Sequence, residues 1–419
     1  MTRFVTHTTG TALEPSAGEG HLAAALSAAR PALTLTSVEL DTTLPWNASH
    51  LQRTNGEFFN WSAGKENTFD VIFGNPPYVA WKAVDAKTRS AVAFSETYSG
   101  KANLYQMFMH RCIELLAPKG ELVFIVPAEW FFATSAAPLR ALMAATGAIT
   151  DVAHCGEEKL FEDADVPAIM IFRFEKGRKQ GTLNYWDTFE SCLSGTKGQK
   201  RKLVCTDHRW LLLSQTLAKN VRNWGTLGDF FEVKVGLVTG ADKAFKLADA
   251  SSVEPSCVLH QVTTTKGTEP FLFLERYKTV DTIPTRALAH VTAHKDLLLA
   301  RRISSFDETN WWKYGAVRNI AQMDATGDRF YALAKTRATE PFFAVKGATH
   351  FTGGVLGIFP RANAPVSCAR AVELLNHPAF RKVFESMLLS SNGKLSLQPA
   401  TLADTPFPKT SLDVDTFLA

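Results

Sequence analysis

Cysteine is sparse and scattered in this 419-residue chain: Cys112, Cys155, Cys192, Cys205, Cys257 and Cys368 include no pair at zinc-ligand spacing. That pattern points away from a disulfide framework and from a metal site. Long apolar runs are lacking as well. None approaches the ~20 residues that cross a bilayer. Met1 to Val5 leads into polar residues and not into a signal-peptide core, so a cytoplasmic protein without membrane attachment is expected. There is no internal repeat, no low-complexity tract and no Asp…Glu-x-Lys nuclease core, which argues against a fused restriction endonuclease. Nor does one charge sign dominate, since 45 Lys and Arg face 41 Asp and Glu for a net charge of +4. With 46% hydrophobic residues, what remains is an ordinary globular chain long enough for two cores.

The charge is uneven along the chain. Residues 1–180 carry 16 basic against 19 acidic side chains, and residues 181–419 carry 29 against 22. The basic half is the one expected to grip phosphate.

The most informative stretch is Asn75-Pro76-Pro77-Tyr78, directly behind the apolar run Phe69 to Gly74. Proline fixes its own φ and pushes the preceding residue toward extended geometry, so this loop is held and not sampled. The Asn75 side-chain oxygen and the Pro76 carbonyl can each accept a hydrogen bond from an exocyclic amine. Such bonds draw the nitrogen lone pair out of conjugation and toward an electrophile such as a sulfonium methyl. Tyr78 offers a ring face for a planar base, an interaction worth about 1–3 kcal/mol.

Two signals precede that loop. Leu13-Glu14-Pro15-Ser16-Ala17-Gly18-Glu19-Gly20 leads into an alanine-rich helical stretch, His21 to Ala29, as a tight strand-to-helix turn that lets backbone approach a ligand. It departs from the dinucleotide fingerprint because no third glycine follows at the required place. The β-branched run Leu33 to Val38 then ends in Glu39, about twenty residues on, where a ribose-binding carboxylate sits in nucleotide folds.

A glycine turn, an acid ending the second strand and Asn-Pro-Pro-Tyr ending the fourth form the layout of class I S-adenosylmethionine-dependent methyltransferases. The chain resembles the TaqI-type, or gamma-order, N6-adenine DNA methyltransferases. The resemblance also rests on Gly100 to Tyr105 and Gly120 to Trp130, and it is strongest over the first 180 residues. It implies that Glu14, Ser16 and Gly18 shape the methionine end of the cofactor pocket, that Glu39 holds the ribose hydroxyls, and that Glu57 and Phe58 bind the adenine of S-adenosylmethionine. It further implies that Asn75, Pro76 and Tyr78 form the catalytic loop, with Phe161 as a second aromatic against a flipped target base. The family's Thr-Pro-type closing helix has no counterpart in Met1 to Thr11, and is expected to be missing here.

The expected fold is α/β: a doubly wound, mostly parallel seven-stranded sheet with an antiparallel edge, and a C-terminal mixed α+β domain. Residues 1–180 would be the catalytic domain, 181–225 a linker where apolar periodicity lapses, and 226–419 the DNA target-recognition domain. Lys234 and Lys243 are candidates for phosphate contacts. Arg301, Arg302 and Arg318 are candidates for guanine contacts, and Trp311-Trp312-Lys313-Tyr314 for stacking. The expected protein is thus a monomeric site-specific DNA adenine-N6 methyltransferase acting on double-stranded DNA, beside a separately encoded restriction endonuclease. Two alternatives stay open: an N-methyltransferase acting on a protein glutamine or an RNA base, and a DNA-binding protein with impaired catalysis.

Overall fold

The runs Phe69–Gly74 and Leu122 to Val126 are buried almost throughout, as strands covered on both faces of a parallel sheet must be. They lie at the centre of a ten-stranded sheet in a computed structural model that describes residues 1–98, 101–154, 169–205, 209–302, 306–347, 350–387, 390–391 and 394–418. The chain divides into two compact units, Met1–Arg222 with Ser386–Asn392, and Asn223–Glu385 with Gly393–Ala419.

In the first unit the elements follow as β1 (Thr9–Glu14), α1 (His21–Ala29), β2 (Ala32–Glu39), β3 (Arg53–Asn55), α2 (Phe58–Trp61), β4 (Phe69–Gly74), α3 (Ala86–Ala91), α4 (Leu104–Leu115), β5 (Leu116–Pro127), α5 (Ala137–Thr146), β6 (Gly147–His154) and β7 (Ile169–Lys176). Their spatial order is β3-β2-β1-β4-β5-β7-β6. β1 to β5 pair in parallel, and β7 runs antiparallel to both β5 and β6. The expected doubly wound sheet is therefore present. Because β1 and β4 are neighbours, the glycine turn after β1 and the Asn75 loop after β4 emerge side by side at the carboxyl edge, where ligands bind in open α/β sheets.

α4 forms with Asn103 as its cap. Its apolar face, Leu104, Met107, Phe108, Cys112 and Leu115, is buried. Pro118-Lys119-Gly120 does not separate the helix from the strand that follows. It lies within β5, opposite a register shift between Phe69 and Val71, with Lys119 at φ +66°.

The linker expected over 181–225 is a larger correction. β8 (Thr182–Trp186), β9 (Gln199–Cys205) and β10 (Trp210–Leu213) extend the same sheet beyond β6. Gly195 and Gly198 lie in the connection that precedes β9, while Lys200 and Lys202 lie within the strand itself. β8 and β9 are only partly buried, with Leu183 and Trp186 as the buried positions of β8, and only the short β10 is a continuous buried apolar run like those of the central strands.

A buried polar clamp fastens the N-terminal segment to this sheet. Glu121, 1% exposed, accepts hydrogen bonds from Thr6 N (2.7 Å), His7 N (3.0 Å) and Thr6 Oγ1 (2.9 Å). Arg173 of β7 pairs with it at 3.1 Å and with Asp151 of β6 at 3.0 Å. Every partner removed from water is answered by another, which a buried ion pair requires.

The second unit holds a four-stranded antiparallel sheet ordered Phe231–Val235, Val355–Pro360, Phe330–Leu333, Phe342–Phe343. A three-stranded sheet (Thr268–Leu272, Val258–Val262, His350–Phe351) and helices such as Thr285–Thr292 and Cys368–Asn376 complete it. It has its own core, which includes Phe245, Phe271, Trp311, Trp312 and Tyr331.

Arg173→Ala is expected to lower the unfolding free energy by about 3–5 kcal/mol, because Glu121 is left buried and unpaired. Urea unfolding followed by tryptophan fluorescence measures this. Adding Glu121→Gln to Arg173→Met should recover part of the loss, and an Arg173→Ala protein as stable as the parent would contradict the assignment.

Candidate active site

Glu14 ends β1, and the chain turns sharply through Ser16 to Gly20 into α1. Gly18 (φ +55°) and Gly20 (φ +85°) both adopt left-handed backbone, which residues with a Cβ avoid. A Cβ at Gly20 would also come within 2.6 Å of the Trp46 ring. The turn is tied to the end of β2 by Glu39, which accepts Gly18 N at 2.6 Å and Asp41 N at 2.8 Å. After β3, Glu57 caps α2 by accepting Asn60 N at 2.8 Å. Phe58 then stacks on Phe108 of α4, with centroids 4.7 Å apart and planes 17° from parallel.

At the end of β4, the Ser16 hydroxyl donates to the Asn75 backbone carbonyl at 3.1 Å, so the two loops are bonded to one another. Tyr78 is anchored by its own hydroxyl, which donates to Ile125 O of β5 at 2.8 Å. Its ring meets the edge of buried Tyr105 at 6.0 Å and 84°. The Asn75 Oδ1 atom is buried with no hydrogen-bond partner among the described residues. An acceptor left so costs about 1–3 kcal/mol, which a bound donor would relieve.

These groups surround a cavity of about 530 Å³, within the range of small-molecule sites. Its wall brings together Ser16, Gly18, Glu39, Glu57, Phe58 and Asn75 from the expected set. Glu14 is not in the wall. It is fully buried with Oε2 unpartnered, and burial, with Glu39 nearby, pushes its carboxyl up to about 8. Pro76 and Tyr78 lie in the adjoining loop, while Phe161 is outside the described residues.

Several wall residues were not anticipated: Leu40, Asp85, Thr88 and Phe108. An exposed leucine directly after Glu39 was a legible signal. Phe108 was read only as part of the apolar face of its helix, and Asp85 resembles any cap of a short helix.

The basic candidates of the second unit fare differently. Arg301 is buried and donates to Leu298 O (2.8 Å), Thr239 O (2.6 Å), Lys313 O (2.8 Å) and Trp311 O (2.6 Å). With its guanidinium spent on four backbone carbonyls, it holds loops together and is withdrawn as a base reader. Trp311, Trp312 and Tyr314 are core residues and not a stacking surface. Lys234 is half-buried and paired with Glu232 at 2.6 Å. Lys243, Arg302 and Arg318 are exposed.

The strand order and a carboxyl-edge cavity between two bonded loops define a class I S-adenosylmethionine-dependent methyltransferase fold. Residues 32–161 match the model of the Eco57I restriction-modification methylase family, which bears out the resemblance to restriction-modification methylases for the catalytic part of the chain. Among relatives, the type II methyltransferase M.TthHB8I of Thermus thermophilus is 32% identical over 43% of this chain and 42% of its own length. The type II methyltransferase M.HindII of Haemophilus influenzae is 23% identical over 94% and 84%. The chain thus spans less than half of the Thermus protein and most of the Haemophilus one. The type IIL restriction-modification enzyme MmeI, solved in complex with DNA, shares the fold with a TM-score of 0.57 at 10% identity, over 96% of this chain and 61% of that one.

The fold and the matched family model imply S-adenosylmethionine as cofactor. The residues present fit it: the Glu39 carboxylate and the stacked Phe58 ring in the cavity wall, and next to that wall in sequence a Glu14 oxygen buried without a partner.

Glu14 generates a pH prediction. Its folded pKa lies above the unfolded value, so the stability it contributes is fully present below about pH 4.5 and is lost as pH rises through about 8. Without ligand, Glu14→Gln should melt several degrees higher than the parent at pH 8.5 and alongside it near pH 4.5. Parallel melting curves across that range would contradict a carboxyl pushed up by burial.

Proposed function

We propose that this protein is a site-specific DNA adenine-N6 methyltransferase of a restriction-modification or similar system, transferring methyl from S-adenosylmethionine to a flipped adenine. The observation that carries this reading is the buried, unpartnered Asn75 Oδ1 at the mouth of the cavity. An amide oxygen and a rigid proline carbonyl, side by side, match the two N–H donors of an exocyclic amine.

In this reading Asn75 Oδ1 and the Pro76 carbonyl accept those two protons' hydrogen bonds and turn the nitrogen lone pair toward the cofactor. S-adenosylmethionine, when bound, supplies the electrophilic methyl group. Ser16 fixes the loop through the Asn75 carbonyl, and Glu39 takes the ribose hydroxyls at the other side of the same turn. Glu57 and Phe58 receive the cofactor's adenine, and Glu14 the methionine ammonium. The target base stacks on Tyr78, with Phe161 as its expected second aromatic partner. Extrusion from the duplex is the usual route by which enzymes reach a base atom.

The second unit is proposed as the DNA target-recognition domain. Its 22 basic residues against 19 acidic ones give it a small positive surplus, and of the expected candidates Lys243, Arg302 and Arg318 are the exposed cations for phosphate and base contact. A separately encoded endonuclease acting on the same site would complete such a system.

Asn75→Ala should lower methyl transfer from labelled S-adenosylmethionine to unmethylated DNA by at least about 100-fold, the scale lost when one preorganised hydrogen-bonding group is removed at a reacting centre. Cofactor affinity, read by calorimetry with S-adenosylhomocysteine, should stay near the parent value. Undiminished transfer by Asn75→Ala would refute the role of the loop.

A further inference from the structure

Two acidic side chains beyond Glu39 line the cavity, Glu57 and Asp85. Each caps a short helix. Glu57 Oε2 accepts Asn60 N at the start of α2, and Asp85 Oδ1 accepts Thr88 N at 2.9 Å at the start of α3. α2 and α3 pack on one another, so both caps belong to the end of the cavity walled by Phe58 and Phe108. Under the cofactor reading above, on which this inference rests, that end receives the adenine ring.

A carboxylate has about four lone-pair sites, so each cap bond leaves acceptor capacity. The hydrogen bonds from Thr88 hold the Asp85 carboxyl below its ordinary value, so at neutral pH it is an acceptor only. The exocyclic amine of adenine carries two N–H donors. One carboxylate can satisfy one of them, and the other then needs a second acceptor.

We propose that Asp85 is that second acceptor: with Glu57 it brackets the amine of the cofactor's adenine and makes the site selective for a 6-aminopurine over a 6-oxopurine nucleoside. An oxo group there would set a third oxygen acceptor against two carboxylates, leaving the neighbouring N1–H as the single donor on that edge. Asp85 lies on the stretch that also supplies Asn75, Pro77 and Val79 to the wall. Seating the purine therefore secures the same run of chain that carries the catalytic loop.

Calorimetric titration of the full chain with S-adenosylhomocysteine and S-inosylhomocysteine tests this, using the parent, Asp85→Ser and Asp85→Asn. Serine also serves as a helix cap, so Asp85→Ser keeps the start of α3 while removing the carboxylate. Asp85→Asn keeps size and cap but replaces one acceptor by a donor suited to the oxo group. In both variants the preference for the adenosyl over the inosyl ligand should fall about tenfold, mostly through weaker S-adenosylhomocysteine binding. Equal weakening of both ligands, or a preference within about twofold of the parent's in both variants, overturns the assignment. A parent protein that binds neither ligand overturns the cofactor reading beneath it.

Discussion

The bond from the Ser16 hydroxyl to the Asn75 carbonyl joins the two loops on which everything else depends. One loop is the glycine turn that Glu39 pins to β2, and the other is the proline-stiffened segment that presents Asn75. They can be bonded only because β1 and β4 are neighbours at the centre of the sheet, so both turns leave the same edge a strand's width apart. A methyl donor held by the first loop and an amine held by the second would then meet with little freedom left to lose, which is where a group-transfer enzyme gains most from positioning.

Buried polar groups are treated in two ways in this molecule. Glu121 and Arg173 at the N-terminal segment, and Arg301 in the second unit, are each met by several partners, and they stabilise loops without exposing chemistry. Asn75 Oδ1 and Glu14 Oε2 are buried without hydrogen-bond partners among the described residues; Asn75 lines the cavity, and Glu14 directly precedes the wall residues Pro15 and Ser16. Natural proteins satisfy nearly all such groups, so an acceptor left open in a cavity wall is a candidate for completion by a ligand, whereas Trp130 Nε1 and Trp312 Nε1 are left open in the two cores, outside that wall. Partner count thus sets the loop-holding Glu121, Arg173 and Arg301 apart from Asn75 better than charge does.

Much of this was legible in the sequence. The apolar runs Phe69 to Gly74 and Leu122 to Val126, the glycine turn and the acid at Glu39 placed the central strands and the site, because a parallel sheet buries whole runs and needs glycine where backbone must bend. The expected site residues from Ser16 to Asn75 line one cavity for the same reason. The strands between Thr182 and Leu213 escaped notice because they alternate only weakly, and their lysines and glycines read as linker. Arg301 escaped because sequence cannot tell a guanidinium spent on four carbonyls from one facing solvent. Asp85 and Phe108 reach the cavity through the packing of α2, α3 and α4, which no local pattern announces.

The central claim is that the loop at Asn75 methylates an adenine amine in DNA. Its most direct test is the identity of the product: DNA incubated with the protein and methyl-labelled S-adenosylmethionine is digested to nucleosides and separated. Label in N6-methyldeoxyadenosine is the result expected. Label confined to N4-methyldeoxycytidine, to RNA or to protein glutamine, with none in deoxyadenosine, would contradict it.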